Sequence, residues 1–441
     1  MAQTAPTSAQ VLVIGGGMSG LTAAHNLQSK GVNVIVLEAA SRFGGRIESV
    51  TTSLGSRIDL GGQWVGHDHH RLRKLAAKAG ATVYKVYSDG NPIMVYKGKK
   101  LPIYSPGILL SGILLVFFDL LCRVFIPRSW NSVSTQDAIA LVGPTKLTRT
   151  FLDALTTLSF CADTAKTSIY ALAKSVPLCG GLTLMMSTHG GAQDSMIVES
   201  IGAVVDMLVG EIGKENMQTG MRVVRIEQDQ EKGGKVTIRT ASGEVLIADK
   251  VIVTIPPPML KSIEFEPQLP EEMNRVQQNT EMGIVYKAIA VYDKPFWRSC
   301  LGGEILLLDD PACGVCDTSA PDGPGHLTFL VGGTPTRALD DLDSTTRREL
   351  LLSRLALFLG KEVLHPVDWH EKAWHQDEFV GGGYAAMPVG CADVPLPMPS
   401  TPVQNIFWAG TETTSKKPGY IEGAIESGER VAGEVISAFR S

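Results

Sequence analysis

The chain has 441 residues, 44% of them hydrophobic and 19% charged, so it can bury a large core and is expected to form two domains. Its formal net charge of -5 gives no electrostatic case for nucleic-acid binding, and we expect no nucleic-acid partner. The seven cysteines are scattered and odd in number, which favours reduced thiols and a cytoplasmic protein. The first ten residues are polar and small, so we expect a loose leader and not a secretory signal.

The first predicted elements form a strand–helix–strand unit. An apolar, β-branched run at 11–14 indicates a buried parallel strand. The next segment, 21–30, indicates a helix that stops at Gly31, and 32–37 indicates a second strand that ends in Glu38. Such a unit is typical of a dinucleotide-binding fold.

The turn between the first strand and the helix carries a G-x-G-x-x-G pattern at Gly15, Gly17 and Gly20, with Ser19 inside it. The first glycine permits the tight turn, the second lets the backbone approach a pyrophosphate, and the third lets helix and strand pack closely. The helix N-terminus offers free N–H groups and a partial positive charge to phosphates. Glu38 follows the pattern by about 20 residues, where a carboxylate binds ribose hydroxyls. The unit therefore predicts a dinucleotide site.

A second glycine-rich element favours FAD over a nicotinamide dinucleotide. Arg42 and Arg46 flank a double glycine that ends at Gly45, and two arginines beside bare backbone suit anionic phosphates. A further run continues this element with Gly62, Gln63 and Trp64. This second element resembles the FAD-binding fold of the amine oxidase and glutathione reductase superfamily, so the expected cofactor is FAD.

An apolar segment at 108–126 has three interpretations. Its length approaches the roughly 20 residues that span a bilayer. Asp119 and Arg123, however, stand four residues apart on one helical face. We expect a buried or substrate-domain helix. The second interpretation is a helix that contacts a membrane surface, and the third is a true span.

Several further elements follow from the pattern of apolar and turn residues. They are helices within 135–167, a short strand or apolar wall at 182–186, a helix at 201–212, a hairpin of 221–228 and 235–240 joined by Gly233 and Gly234, a buried strand at 251–255 that should rejoin the dinucleotide sheet, and a strand at 284–292 that carries Lys287. A lysine among the apolar neighbours of that last strand needs a polar partner.

Two clusters resemble metal sites, but neither predicts one. Cys313 and Cys316 form a single C-x-x-C in a turn-like stretch, so we interpret them as packed or surface thiols. The histidines at 67–70 open a basic helix over 71–78, and we interpret them as a polar loop and helix start. We expect no metal.

The C-terminal stretch completes a family resemblance. The runs at 407–413 and 418–424 resemble the closing motif of the flavin monoamine oxidases. So do 15–20, 42–46, 59–66, 190–193, and 285–287 running on to 294–298, in the family's order over nearly the whole chain.

The resemblance implies an α/β fold in which a Rossmann-like FAD-binding domain is interleaved with an α+β substrate-binding domain. The FAD-binding domain would comprise 9–83, 198–276 and 377–441. The substrate-binding domain would comprise 84–197 and 277–376.

The resemblance also implies the cofactor contacts. Glu38 and Arg46 would bind the ADP moiety, Val223 would lie near the adenine, and Glu412 would bind on the ribityl or pyrophosphate side. The remaining residues expected at the cofactor are Gly15, Gly17, Ser19, Gly20, Arg42, Gly45, Gly62, Gln63, Trp64, Trp374, Gly410, Thr411, Tyr420 and Ile421.

The implied catalytic groups are a lysine and two tyrosines. Lys287 matches the lysine that holds a water against flavin N5, and Trp374 matches a tryptophan near the isoalloxazine. Tyr384 and Tyr420 match the aromatic cage that receives the amine. Gln193 is the candidate for a polar substrate contact at the cavity wall.

The chain departs from the covalent members of the family at Gly383, where those members carry a cysteine. We therefore expect non-covalent FAD, and Cys391, eight positions later, is a poor substitute. We also expect no C-terminal membrane anchor. Gly314 loosely matches a bulky gating position, which suggests a wider cavity.

The expected reaction is oxidation of an apolar or aromatic amine to an imine, which water hydrolyses to an aldehyde or ketone, while O2 is reduced to H2O2. A polyamine oxidase would need carboxylates in the cavity, and an L-amino acid oxidase would need an arginine for the substrate carboxylate. A flavin-binding protein without turnover is the other alternative. The assembly considered is a homodimer.

Overall fold

The computed structural model describes residues 8–229, 234–391 and 393–440. Within these residues the helices are α1 (Met18–Gln28), α2 (His70–Lys78), α3 (Pro106–Val124), α4 (Thr135–Val142), α5 (Lys146–Phe160), α6 (Ile169–Leu178), α7 (Leu182–Met186), α8 (Gly202–Ile212), α9 (Glu271–Gln278), α10 (Arg337–Asp340), α11 (Ser344–Leu359) and α12 (Ile421–Ala438). The strands are β1 (Ser8–Ile14), β2 (Val34–Leu37), β3 (Ser49–Thr51), β4 (Arg57–Asp59), β5 (Val83–Lys85), β6 (Ile93–Tyr96), β7 (Lys99–Leu101), β8 (Ser195–Ile197), β9 (Met217–Gln218), β10 (Val223–Gln228), β11 (Val236–Thr240), β12 (Val245–Val253), β13 (Glu264–Glu266), β14 (Glu281–Met282), β15 (Val285–Tyr292), β16 (Glu304–Leu307), β17 (Cys313–Asp317), β18 (Gly325–Gly332), β19 (Asp368–Ala373), β20 (Ala385–Ala386) and β21 (Ile406–Trp408).

The first large sheet contains the predicted strand–helix–strand unit. Its strand order is β13-β10-β11-β12-β1-β2-β9, and β21 pairs with β12. β1 lies parallel to both β2 and β12, so the predicted return of the 251–255 strand to this sheet is confirmed. The apolar side chains of α1, α8 and α12 cover the sheet and form one core with it.

Glycines allow the close helix packing at this sheet. A Cβ atom on Gly20 would lie 2.0 Å from the carbonyl oxygen of Gly15, which has a φ of +105°. These two glycines therefore play the backbone roles that the pattern predicts. A Cβ atom on Gly428 of α12 would lie 2.5 Å from the carbonyl oxygen of Ser19, so α12 also approaches α1 closely.

The second large sheet carries the predicted lysine strand. Its order is β19-β15-β18-β17-β16-β6-β7. The register pairs Lys287 with Leu330, Leu330 with Gly314, and Gly314 with Leu306. Paired residues, and residues two apart on a strand, share one face of a sheet. Glu304, two residues before Leu306, therefore lies on the face of Lys287.

The opposite face of this sheet packs into the second core. Tyr286, Ala288 and Ala290 of β15 lie in that core with side chains from α11. The first sheet draws its strands from 8–37, 217–266 and 406–408, and the second from 93–101, 285–332 and 368–373. These strands lie within the expected domain ranges, whose boundaries remain predictions.

Two local predictions are wrong. The 182–186 segment is helix α7 and not a strand, although it does form an apolar wall, because Leu182 and Met185 pack in one cluster with Tyr420. Cys313 and Cys316 lie on β17 and not in a turn. The hairpin of β10 and β11 is antiparallel as predicted, but its connection at Gly233 lies outside the described residues.

The apolar segment at 108–126 is a helix as predicted, and it is buried on one side only. α3 packs one side against α5 and α6, with Ile108, Ser111 and Cys122 buried. Large apolar side chains on the other side, including Phe117 and Val124, are exposed. Of the helices in the described residues, α3 is the one long and apolar enough to cross a membrane.

Candidate active site

Lys287 joins the second sheet to the 59–63 segment at the end of β4. Its side chain is buried, and its Nζ donates hydrogen bonds to three oxygen atoms of the neighbouring 59–63 segment. The acceptors are the carbonyl oxygens of Asp59 (2.6 Å) and Gly61 (2.8 Å) and the Oε1 of Gln63 (2.5 Å). The polar partner that the sequence demanded is therefore present.

Burial lowers the pKa of Lys287 to about 7, and the buried Asp59 carboxylate opposes that shift. Burial also raises the pKa of Asp59, whose oxygens accept hydrogen bonds from the Ser49 hydroxyl and the Ile201 N–H. The lysine can therefore exchange a proton near neutral pH.

The glycine-rich turn and Glu38 meet as the dinucleotide pattern requires. The N–H of Gly16 donates to Glu38 Oε2 at 2.7 Å, and the N–H of Ala40 donates to Oε1 at 2.8 Å. The N–H of Met221 donates to the Glu38 carbonyl, which brings the start of β10 at Val223 beside this acid. A Cβ atom on Gly17 would meet no heavy atom closer than 3.9 Å, so the backbone surface there is bare.

The two predicted arginines are held differently. Arg46 makes a bidentate ion pair with Glu412, at 2.6 Å and 3.2 Å. Arg42 donates to the carbonyl oxygens of Gly45 and Ile47, so its guanidinium braces the double-glycine turn. An acid at 412 was predicted to bind cofactor, and its pairing with Arg46 was not foreseen.

Trp374 and the 61–64 run form one wall of the cleft. The Trp374 indole N–H donates to the Leu60 carbonyl at 2.8 Å, and its ring is buried. A Cβ atom on Gly61 would lie 2.9 Å from that ring, so only glycine fits there. A Cβ atom on Gly62 would lie 3.3 Å from Ile421, and the half-buried Trp64 follows Gln63 on this run.

In space, Gly419 lies between the Tyr384 ring and Tyr420. A Cβ atom on Gly419 would lie 3.1 Å from Tyr384 Cδ1, so Tyr384 stacks against bare backbone next to Tyr420. The Gly383–Tyr384 peptide is cis, and a Cβ atom on Gly383 would meet nothing within 4 Å. Burial raises the pKa of both phenols, so both stay neutral at physiological pH.

The loop before α12 is fixed to the start of α2. Lys417 forms an ion pair with Asp68 at 2.7 Å. The His69 ring meets the Tyr420 ring edge-on, with centroids 5.4 Å apart. Burial lowers the pKa of His69 to about 4, and its Nδ1 accepts from the Gly66 N–H, so the imidazole is neutral.

Helix α12 begins at the residues predicted to contact the cofactor. The Thr411 hydroxyl donates to the Tyr420 carbonyl at 2.8 Å, and the Gly410 N–H donates to the Ser427 hydroxyl. Ser427 is also 2.9 Å from the Ser19 hydroxyl. These contacts join the glycine-rich turn to the closing motif.

Gln193 lies at the edge of this arrangement. Its amide donates to the Met185 carbonyl on α7, the helix whose apolar wall includes Tyr420. No supporting role was predicted from the sequence for His69, Asp68 or Lys417. The histidine cluster at 67–70 has the pattern of an ordinary polar loop. Gly419, directly before Tyr420 in the sequence, was the available signal that this loop is close-packed.

The residues suit a flavin dinucleotide. The glycine-rich turn has bare backbone at Gly17 beside a helix N-terminus, and Glu38 lies next to it. Gly383, next to Tyr384, borders open space, whereas Gly61 packs closely against Trp374.

Comparison with known proteins agrees with this geometry. The family described as flavin containing amine oxidoreductase matches residues 18–436. The chain is 31% identical to amine oxidase [flavin-containing] A of Bos taurus, over 97% of this chain and 85% of that protein. It is 32% identical to amine oxidase [flavin-containing] B of Cavia porcellus, over 97% of this chain and 86% of that protein.

Solved structures share the fold. Cyclohexylamine oxidase from Brevibacterium oxydans IH-35A superposes with a TM-score of 0.92 at 25% identity, covering 98% of this chain and all of that one. Putrescine oxidase bound to putrescine superposes with a TM-score of 0.86 at 22% identity, over 98% and 99% of the two chains, a likeness of fold alone. The expected family and α/β fold are therefore confirmed. The chain belongs to the flavin-containing amine oxidoreductase family and is a flavoprotein oxidoreductase that acts on amines.

Proposed function

We propose that the protein is an FAD-dependent oxidase of apolar or aromatic primary or secondary amines, and that it holds FAD without a covalent bond. One observation carries this proposal, a continuous path of contacts around the cleft. Lys287 binds Gly61 and Gln63, Gly62 contacts Ile421, and Gly419 contacts Tyr384. This path links the lysine, the glycine run and both tyrosines, which supports a shared site.

The cofactor and the protein have separate tasks. When bound, FAD supplies the two-electron chemistry that converts the amine to an imine and reduces O2 to H2O2. Glu38, Arg46 and the glycine-rich turn would hold its ADP moiety, while Trp374 and the 61–64 run would border the flavin ring. Water then hydrolyses the imine to an aldehyde or ketone and an amine or ammonia.

The protein selects the neutral form of the amine. Tyr384, which is 42% exposed, and the half-buried Tyr420 offer apolar ring faces, and their raised pKa values keep both phenols neutral. A deprotonated amine needs no general base to expose its α C–H bond to the cofactor. Lys287 would hold a water near the ring by exchanging one of the three oxygen acceptors of its ammonium for that water.

An anaerobic screen of amines tests the proposal. The holoenzyme is mixed without O2 with benzylamine, an N-methylated analogue and a linear alkylamine, and the oxidised flavin spectrum is followed. We expect bleaching by apolar and aromatic amines, and H2O2 on readmission of O2. Yellow protein that no amine bleaches would contradict the proposal and favour a binding protein without turnover.

Replacing the tyrosines separates turnover from folding. Alanine at Tyr384 or Tyr420 should lower kcat/KM by about a hundredfold or more, because each change removes a cage wall. Flavin content and thermal midpoint should change little. Equal turnover would remove the two rings from the proposed cage.

Glu304 favours a second candidate, a long diamine or polyamine as substrate. Its carboxylate lies on the Lys287 face of the second sheet and is hydrogen-bonded to the Thr188 hydroxyl. The strand of Glu304 is three strands from that of Lys287, so at a spacing of about 4.8 Å the two strand backbones lie about 14 Å apart. A carboxylate on that strand suits a distal ammonium group.

Glu304→Gln distinguishes the two substrates. For a diamine substrate the change should lower kcat/KM by about tenfold or more, while the matched monoamine is unaffected. Equal effects on both amines would leave Glu304 outside recognition and support the monoamine proposal.

We also propose that the protein works in the cytoplasm. All seven cysteines are unpaired, which supports a reducing compartment. A homodimer is the assembly to be tested by light scattering.

A further inference from the structure

Helix α3 presents an apolar stripe to solvent. The exposed members recur at the spacing of one helix face, and they are Leu109, Ile113, Val116, Phe117, Leu120 and Val124. Phe117 is 63% exposed and Val124 is 85% exposed. Tyr104 and Phe125 extend the stripe beyond either end of the helix, and both are exposed. An exposed apolar surface of this continuity marks an interaction site.

The opposite side of α3 fixes the helix to the domain. Ser111 is fully buried, and the Asp119 carboxylate accepts the Leu182 N–H at 2.6 Å. Arg123 pairs with Asp119 one turn further on. A bilayer-spanning position would break these contacts and expose two charges to hydrocarbon. The exposed stripe can therefore contact a partner only while the opposite side of α3 stays packed on the domain.

Three basic residues precede the stripe in the sequence. Lys97, Lys99 and Lys100 lie on the β6–β7 hairpin immediately before α3, and all three are exposed. Within the described part of the chain, no ion pair involves any of these lysines. The nearby Asp309 carboxylate already accepts the backbone N–H groups of Lys97 and Gly98. This surface is therefore locally cationic, although the whole chain has a net charge of -5.

We propose that the α3 stripe docks on an anionic phospholipid bilayer. The helix would lie parallel to the membrane, with the stripe among the headgroups and first acyl carbons, and the hairpin lysines would bind lipid phosphates. The stripe runs for about 22 Å along the helix, which suits a surface-lying amphipathic segment. A second copy that packs its α3 parallel to this one fits less well, because that two-fold contact would bring two cationic hairpins together.

Vesicle sedimentation tests the proposal. The holoenzyme is incubated with sucrose-loaded vesicles of phosphatidylcholine alone, or of phosphatidylcholine and phosphatidylglycerol at 3:1, and flavin absorbance is measured in pellet and supernatant. We expect binding to the anionic vesicles that weakens as salt rises. We also expect the bound protein to be released by a carbonate wash at high pH, as for a peripheral protein.

Variants test each half of the surface. Ile113→Ser with Phe117→Ser should lower the partition coefficient about thirtyfold or more, because each change removes a large apolar side chain from the interface. Lys99→Glu with Lys100→Glu should lower binding to anionic vesicles about twentyfold and leave the weak binding to neutral vesicles unchanged. Leu357→Ser is the matched control, since Leu357 is 79% exposed on α11, and it should bind like the wild type.

Three outcomes would overturn the proposal. Absence of binding to anionic vesicles is the first. The second is retention in the membrane after the carbonate wash, which would indicate a span. The third is a dimer in light scattering that the Ile113→Ser, Phe117→Ser protein loses, together with no vesicle binding, which would assign the stripe to a second copy. Flavin content and amine turnover of each variant establish that it is folded, so a lost interaction cannot be attributed to unfolding.

Discussion

Lys287 is a buried lysine that can exchange a proton near neutral pH. It is buried, and its pKa is lowered to about 7, so neutral and charged forms coexist near physiological pH. All three of its partners are oxygen atoms that accept hydrogen bonds, and they therefore favour the ammonium form. A positive charge at this place can stabilise a negative charge that develops on a nearby reactant.

Replacing Lys287 with methionine tests that role. Methionine keeps the length of the side chain and removes the charge. We expect full flavin content and a second-order rate of flavin reoxidation by O2 at least about tenfold lower, measured by stopped-flow after anaerobic reduction. Lys294→Met, at an exposed position just beyond β15, is the control and should reoxidise at the wild-type rate. Unchanged kinetics of reduction and reoxidation in the Lys287 variant would remove the residue from the mechanism.

The lowered pKa of Lys287 also predicts how stability depends on pH. The folded protein loses this proton near pH 7, whereas the unfolded chain keeps it up to about the ordinary lysine pKa of 10.5. Between these limits the unfolded state binds more protons, so this residue makes folding more favourable as pH rises, by up to about 1.4 kcal/mol per pH unit. The difference in thermal midpoint between wild type and Lys287→Met should therefore grow in favour of the wild type from pH 7 to 9.5. A constant difference would show that Lys287 does not titrate in this range.

At the scale of elements, two helix termini meet at the cleft. The Glu422 side chain in the first turn of α12 is buried, and its carboxylate accepts the backbone N–H groups of Arg71 and Leu72 at the start of α2. One acid therefore satisfies two unpaired donors and lies at the positive end of a helix. This contact, the Asp68–Lys417 ion pair and the His69–Tyr420 contact all tie α2 to the loop that carries Tyr420.

Removing the Glu422 carboxylate should loosen that connection. Glu422→Ala leaves two N–H groups at the start of α2 without their acceptor, so we expect a loss of about 1–3 kcal/mol in unfolding free energy. KM for amines should also rise, because Tyr420 directly precedes α12 and is displaced when that helix moves. Glu422→Gln keeps one acceptor and should recover part of the loss. Chemical denaturation measures the first effect and steady-state kinetics the second. Equal stability of the alanine variant would contradict this account.

Strong local patterns were predicted correctly from sequence. The parallel strands around Gly15 and the strand of Lys287 carry a clear apolar period, and the glycine spacing has a physical reason that the backbone contacts bear out. The errors fall on short or two-sided segments. Leu182–Met186 is too short for its apolar pattern to distinguish a strand from a helix. β17 contains Gly314, a residue type that is typical of turns.

Long-range pairing is what sequence could not supply. The length and apolarity of α3 suggested burial, yet exposure depends on how many neighbours the fold places around the helix. The ion pair of Arg46 with Glu412 joins residues 366 positions apart, and the edge contact of His69 with Tyr420 joins two distant loops. The cofactor and substrate roles of the individual residues stay predictions.

At the scale of the whole molecule, the cleft lies where the two sheets meet. The first sheet supplies the glycine-rich turn and Glu38, and the second supplies Lys287, whose Nζ reaches back to the 59–63 segment that follows β4. The closing motif lies on the first sheet and places Glu412 and Tyr420 at the same cleft. Each sheet alone holds only part of the proposed site, so we expect cofactor retention and catalysis to require both sheets.

Non-covalent retention of FAD is the prediction that belongs to this scale. The position before Tyr384 is Gly383, which has no side chain to form a thioether, and the nearest cysteine in sequence is the partly buried Cys391. We therefore expect precipitation of the holoenzyme with trichloroacetic acid to leave all of the flavin in the supernatant, in stoichiometric amount by absorbance. Chromatography of the supernatant should identify the flavin as FAD. Cys391→Ser should release the same amount, because that thiol takes no part in holding the cofactor. If the wild-type pellet is yellow and the Cys391→Ser pellet is colourless, the flavin is attached at Cys391; a yellow pellet from both proteins would place a covalent bond elsewhere, and either result would show that non-covalent retention is wrong.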